Sequence, residues 1–256
     1  LDSISSKVAS PVVDKPKAKS ISLKALIFDV DGTLYLSAPV KRAMIAQLTL
    51  QGILHPLRTA RIVRILRAYR RAQDQLRKDG ARVADLAAAQ IGLAAKTSGA
   101  TKEQVSSAVD VWMEEKPLRA VSHSRRRGLV PLLEKAKAEG LCLAVCSDYR
   151  PERKLKALGV LHFFDVVVCA QQDAVVCFKP DPRGLEVALS QLGVASHEAA
   201  FVGDRMDVDQ KAAAAAGVAC FILGGRDQPP AKGKDLTKNW TNIADFEDLR
   251  TLLFPV

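Results

Sequence analysis

The sequence predicts an α/β protein, a doubly wound parallel sheet interrupted after its first strand by an inserted all-helical cap. Three observations predict it. Five short apolar runs read as buried strands, and helical patterns stopped by glycine lie between them. The interval between the first run and the second, about 110 residues from Thr33 to Leu141, far exceeds the roughly 30 residues of a whole βαβ unit.

The apolar runs cover residues 22–28, 141–146, 166–169, 199–202 and 219–223. Helical patterns follow at 129–139, 151–158, 183–192 and 210–216, closed by Gly140, Gly159, Gly193 and Gly217. Alternating strand and helix implies a parallel sheet, whose ligands gather beyond the carboxyl ends of its strands. The surplus chain after Thr33 is helical in pattern and is expected to hold about four helices. Pro39 and Pro56 stand near helix starts, Thr101 and Gln104 form a capping box, and Gly80 and Gly99 mark stops. Within residues 57–78, Ile62, Ile65, Tyr69, Ala72 and Leu76 share one face, with Arg64, Arg67, Arg71 and Lys78 opposite. The expected division is a tail over 1–20, a core over 21–36 and 120–256, and a cap over 37–119.

A chain of 256 residues that is 48% hydrophobic can bury one sizeable core and carry a smaller unit beside it. Its longest apolar stretch, 212–223, is broken by Gly217 and falls short of the roughly 18 to 20 residues of a membrane span, so no membrane is expected. The first twenty residues lack the apolar segment of a secretory signal and read as a loose tail, with a cytoplasmic location expected. Five cysteines without a Cys-x-x-Cys pair read as small core residues, and four scattered histidines give zinc little support. The net charge of +10 favours anionic partners, phosphorylated metabolites or nucleic acid.

The first strand runs into Asp29-Val30-Asp31-Gly32-Thr33. Residues two apart on an extended chain project to one side, so two carboxylates face one spot and repel unless a cation or proton lies between them. Gly32 permits a tight exit, and Thr33 can hold a carboxylate by a hydrogen bond. Ser147 ends the second strand at the same sheet edge, where its hydroxyl can meet a phosphate oxygen. Lys179, stiffened by Pro180 and Pro182, offers a cation to compensate the acids. The fourth run delivers Gly203-Asp204-Arg205-Met206-Asp207-Val208-Asp209, and hard oxygen ligands of this kind suit Mg2+.

These segments, Asp-x-Asp-Gly-Thr, strand-Ser, Lys-Pro and Gly-Asp-x-x-x-x-Asp in that order, resemble the four signature motifs of the haloacid dehalogenase superfamily. The resemblance covers most of the core and is closest to the helical-cap phosphatases, such as the phosphoglycolate phosphatase-like group. It implies Asp29 as nucleophile, Asp31 as general acid and base, and Ser147 and Lys179 as phosphate holders, with Gly32, Thr33 and Asp148 in the same phosphate-binding loops. It implies Asp29, Asp31, Asp204 and Asp209 as the Mg2+ acids. The true dehalogenases of the superfamily carry no Asp at the position of Asp31, so this residue argues for phosphoryl transfer. Asp148, where the family often has Asn, and Asp207, an extra acid, depart from the pattern.

The implied activity is hydrolysis of a small-molecule phosphate ester by a monomer or homodimer. A phosphomutase or phosphotransferase shares every core residue and differs only in its acceptor. A response-regulator receiver domain orders its acids differently. The Arg64, Arg67, Arg71 stripe and the run Arg125, Arg126, Arg127 raise a nucleic-acid-binding module, but few aromatics interleave with them for base stacking, and nucleic acid is not the expected partner.

Overall fold

The computed structural model describes residues 23–80, 83–224 and 240–255; the tail expected over 1–20 and the first residue of the expected first strand lie outside them. Among the described residues, six strands form one sheet: β1 (Ala25–Phe28), β2 (Cys142–Ser147), β3 (Val166–Cys169), β4 (Ala199–Gly203), β5 (Ala219–Leu223) and β6 (Trp240–Ile243). All neighbours pair in parallel, in the order β3-β2-β1-β4-β5-β6. The described α-helices are α1 (Ser37–Leu54), α2 (Pro56–Asp79), α3 (Leu86–Ser98), α4 (Lys102–Val109), α5 (Leu118–His123), α6 (Leu129–Ala138), α7 (Glu152–Leu158), α8 (Arg183–Leu192), α9 (Lys211–Ala216) and α10 (Phe246–Leu253).

The strands are near-continuous apolar runs because the sheet is buried on both faces. Leu26, Phe28, Leu143, Val145, Ala200 and Val202 point into one layer, where they meet Leu132 and Leu133 of α6, Leu155 of α7 and Phe246 of α10. Ala25, Ile27, Ala144, Cys146 and Phe201 point into the other, against Leu185 and Ala188 of α8 and Ala212 and Ala213 of α9. This alternation is the period of two that the pleat imposes. The chain winds outward from β1 in both directions, so the carboxyl end of β1 lies at the point where a doubly wound sheet opens a crevice for ligands.

The structure adds β6 and α10, which the sequence pattern does not announce. Only Ile243 of the β6 sequence Trp-Thr-Asn-Ile is buried, so an edge strand of this kind carries no apolar run. Helical backbone before α9 also starts earlier than expected, as a wide π turn over Met206–Gln210. The cysteines are free, and all but Cys142 are buried.

Helices α1 to α4 occupy most of the long interval, α4 runs on as a π turn through Asp110–Glu115, and α5 and α6 complete the path to β2. Pro56 opens α2, Gly80 and Gly99 take left-handed conformations at the ends of α2 and α3, and the Thr101–Gln104 capping box forms. Ile65, Tyr69, Ala72 and Leu76 of α2 are buried with Ala68, whereas Ile62 is only half-buried. Arg64, Arg67, Arg71 and Lys78 are exposed on the far side. Helix α5 spans the expected cap–core division at 119/120 and sends Val121 into the core of the sheet. No helix among the described residues is long and apolar enough to cross a membrane.

The helical layer is seated on the loops beyond the sheet. Leu76 and Leu86 pack with Ala170 and Phe178. The ring of Tyr69 stacks on that of Tyr149, which follows β2, at 6.0 Å between centroids. Gln90 donates to the Tyr69 carbonyl and the Tyr149 hydroxyl, both at 3.0 Å.

Candidate active site

Asp29 is the first residue past β1, and its backbone NH still donates to the Val202 carbonyl of β4. The strand pairing therefore fixes where its carboxylate starts. Thr33 donates to Asp29 Oδ2 at 2.9 Å, and Lys179 donates to Asp29 Oδ1 at 2.5 Å. Lys179 also donates to Asp209 Oδ1 at 2.7 Å. All three groups of this chain Asp29–Lys179–Asp209 are buried. The other oxygen of Asp209 accepts from the backbone NH groups of Asp204 and Arg205, at 3.2 and 3.1 Å, which tightens the loop after β4.

Asp204 completes the group. One carboxylate oxygen from each of Asp29, Asp204 and Asp209 lies within 4.8 Å of the other two, and Asp204 Oδ1 is buried without a hydrogen-bond partner. A buried anionic oxygen with nothing to bond is costly. A hard divalent cation bound by carboxylates would satisfy it, so the residues present fit Mg2+. Gly32 shows how closely the loops are fitted: a Cβ there would sit 2.2 Å from Asp204 Oδ2, and the backbone is at φ +98°. Only glycine suits such a position.

Charge in the cluster follows from burial. Burial, opposed by Lys179 and reinforced by Asp209 and Asp204, pushes Asp29 up to about 8. Burial and the neighbouring Asp209 push Asp204 up to about 6. Lys179 goes well above its ordinary value; burial acts against the ammonium, but Asp209 and Asp29 outweigh it. In the absence of a cation the site thus resists carrying its full negative charge.

Asp31, expected among the metal acids, stands apart from that group. Lys154 of α7 donates to Asp31 Oδ1 and Oδ2 at 2.8 and 2.9 Å, and the Tyr35 hydroxyl donates to Oδ1 as well. Burial pushes Asp31 up, but Lys154 and Tyr35 more than offset it and hold the carboxyl below its usual range. The period-two reasoning brings Asp29 and Asp31 to one loop, yet their carboxylates have different partners.

Asp148 is likewise placed differently from the phosphate-binding expectation. Its Oδ2 accepts from Arg77 of α2 at 2.7 Å and from Gln73 at 3.4 Å, while Oδ1 accepts from the Lys179 backbone NH at 3.1 Å. Both oxygens are occupied in bracing the cap and the lysine loop. Ser147 is buried at the end of β2, and its Oγ accepts from the Tyr149 NH at 3.3 Å. Asp207 pairs with Arg205 at 2.7 Å on the surface, away from the acid cluster. Arg126, read in sequence as part of a basic run, donates through Nε and Nη2 to the Gly32 carbonyl at 3.1 and 2.8 Å and so holds the exit loop of Asp29.

Lys154, Tyr35, Arg126 and Arg77 are the site residues that sequence reasoning missed. Lys154 sits in an ordinary amphipathic pattern, Glu-Arg-Lys-Leu-Lys-Ala-Leu, where only its burial marks it out.

The chain is similar to known proteins in sequence and in fold. The haloacid dehalogenase-like hydrolase family matches residues 23–217. The glyceraldehyde 3-phosphate phosphatase of Methanopyrus kandleri is 30% identical over 88% of this chain and 92% of its own length. The phosphoserine phosphatase of Thermus thermophilus is 36% identical, over 44% of this chain; the chain spans 48%, about half, of that relative. In three dimensions the chain is similar to the crystal structure of a HAD phosphatase from Thermococcus onnurineus, with a TM-score of 0.54 and 19% identity over 91% of this chain and 98% of the other. With the four motifs gathered at one sheet edge and the match spanning most of the sequence, the chain belongs to the haloacid dehalogenase-like hydrolases.

Proposed function

We propose that this hydrolase is a magnesium-dependent phosphatase that releases phosphate from a small phosphorylated metabolite through an aspartyl-phosphate on Asp29. It is a phosphoric monoester hydrolase. The observation that carries the reading is Asp29 itself, a buried carboxylate pinned by Thr33 and Lys179 at the switch point of the sheet and grouped with Asp204 and Asp209.

Asp29, Asp204 and Asp209 are the residues that would hold Mg2+, which when bound neutralises phosphate charge and lets an anion approach a carboxylate. An oxygen of Asp29 forms the bond to phosphorus as the ester oxygen leaves; water then breaks the acyl phosphate and restores Asp29. Lys179 supplies a fixed positive charge to the transferring group, and the Ser147 hydroxyl reaches the same edge. Asp31 is ionised in this geometry, the form that takes the proton of the attacking water. Its earlier duty as donor to the leaving alcohol requires that Asp31 first take up a proton, against the Lys154 ammonium and Tyr35 hydroxyl, which favour its ionised form.

Glyceraldehyde 3-phosphate and phosphoserine, the substrates named for the relatives, are short polar phosphate esters, and that class is carried here as the substrate class. Free, mostly buried thiols suit a reducing compartment, in keeping with a cytoplasmic location. The test is phosphate release across a panel of phosphorylated metabolites, with and without Mg2+, by the parent and by Asp29→Asn. The parent releases phosphate only with the metal and the variant is inactive while retaining its circular dichroism. Turnover by Asp29→Asn near the parent rate overturns the assignment, and transfer to an added sugar in preference to water makes the enzyme a phosphotransferase.

A further inference from the structure

Between Ser37 and Gln73 the chain carries Lys41, Arg42, Arg58, Arg61, Arg64, Arg67, Arg70 and Arg71 and no Asp or Glu. Eight positive charges against a net +10 mean that most of the basic excess lies on one helical hairpin, α1–α2. Arg58, Arg64, Arg67, Arg70 and Arg71 have no ion-pair partner among the described residues.

Among the described residues, the same hairpin exposes most of the large apolar side chains that face solvent. Of the seven such residues among the described residues, Ile45, Leu50, Ile53, Leu54 and Leu57 belong to it, and each is between 62% and 87% exposed. Gly52 lies against Thr59, with 3.6 Å from a built Cβ to the threonine methyl, so the turn at His55 is tight and leaves Leu50, Ile53, Leu54 and Leu57 at its tip. Arg77 meets the core twenty residues after Leu57, about 30 Å along the helix. The tip is therefore remote from the acid cluster.

We propose that the α1–α2 hairpin is a docking surface for an anionic lipid bilayer, with its apolar tip entering the headgroup boundary and its arginines meeting lipid phosphates. Charge and apolar exposure together select this occupant. A second copy of the same face would set eight cations against eight. A nucleic acid would match the arginines and leave the leucines and isoleucines in water. An anionic bilayer takes both, since surface-bound helices combine Lys or Arg on one side with large apolar side chains on the other. Such docking needs no spanning segment, so it is compatible with the absence of an apolar stretch long enough to cross.

The experiment is cosedimentation of the full chain with vesicles of phosphatidylcholine, alone or mixed with phosphatidylserine, at low and high salt. Two paired variants are compared, Leu54→Ser with Leu57→Ser, and Arg58→Gln with Arg64→Gln. None of these residues belongs to the acid cluster, and melting curves report that each variant is folded whatever its activity. The expected result is binding to phosphatidylserine vesicles alone, lost at high salt, and weakened roughly tenfold or more by each pair. Equal sedimentation with both lipids, or none, overturns the proposal. So does binding to duplex RNA that the Leu pair leaves unchanged while vesicles are ignored, or a dimer abolished by the Leu pair in a protein that does not bind vesicles.

Discussion

Lys154 Nζ lies 2.8 and 2.9 Å from the two carboxylate oxygens of Asp31, so a side chain from α7 closes over the residue that the motif assigns to proton transfer. The ammonium favours the ionised carboxyl and lowers the value at which Asp31 takes up a proton. Replacing Lys154 by Met removes that cation, and Asp31 then titrates at higher pH. Steady-state phosphate release by Lys154→Met is expected to fall roughly tenfold to a hundredfold in kcat, with the limb of the pH profile governed by Asp31 displaced upward. An unmoved profile would separate Lys154 from the chemistry.

Asp29 is held at about 8 by burial among like charges, far above the 3.8 of an unfolded aspartate. The folded protein therefore keeps a proton on Asp29 that the unfolded chain loses above about 4. By linkage, this residue's contribution to stability declines as pH rises from the unfolded value to the folded one. Asp29→Asn has no such proton. In metal-free buffer its melting temperature should gain on the parent's steadily from pH 4 to pH 8, a difference that calorimetry can follow.

Mg2+ should stabilise the parent most where those acids must be ionised. Binding a cation to Asp29, Asp204 and Asp209 competes with protons on groups held at about 8 and about 6, so the rise in melting temperature on adding Mg2+ grows with pH. The rise should be much smaller in Asp204→Asn. Equal shifts at pH 5 and pH 8 would place the cation elsewhere.

Gly32→Ala tests the fit of two loops. Its Cβ would meet Asp204 Oδ2 at 2.2 Å on a backbone at φ +98°, so either the Asp29 loop or the Asp204 loop must shift. Activity should fall by at least roughly a hundredfold, since a displacement near 1 Å at a reacting centre costs that much. Isothermal titration should show weaker Mg2+ binding in the same variant.

Arg77 braces the cap against the core through Asp148 at 2.7 Å and the Lys179 carbonyl at 2.7 Å. Its loss leaves a half-buried carboxylate without its cation. Arg77→Met should lose about 1–3 kcal/mol of stability by denaturant titration and lower kcat through a looser Lys179, with Arg77→Lys retaining part of both.

Much of the site was legible in sequence because the motif residues are local to strand ends. A parallel strand buried on both faces must be apolar, so its end is visible where Phe28 gives way to Asp29, Cys146 to Ser147, and Gly203 to Asp204. Those changes of polarity located the first, second and fourth segments, and Pro180 with Pro182 marked the third.

The partners of each side chain were not legible, since they are set by distances across the fold rather than along the chain. Asp31 and Lys154 are 123 residues apart, and Arg77 and Asp148 are 71 apart. Asp29, Asp31 and Asp148 are alike in sequence as acids at strand ends. Neighbours supplied by α7, α2 and the β4 loop give them different partners: Asp31 is held by Lys154, Asp148 by Arg77, and Asp29 is grouped with Asp204 and Asp209. By itself the sequence determined five of the six described strands, the inserted helices and the acids at the strand ends, because burial and backbone periodicity act locally. Tertiary structure alone decided which acid is paired, which is left without a partner, and where the basic and apolar face of α1–α2 stands exposed, because electrostatics and solvation depend on what surrounds a group in space.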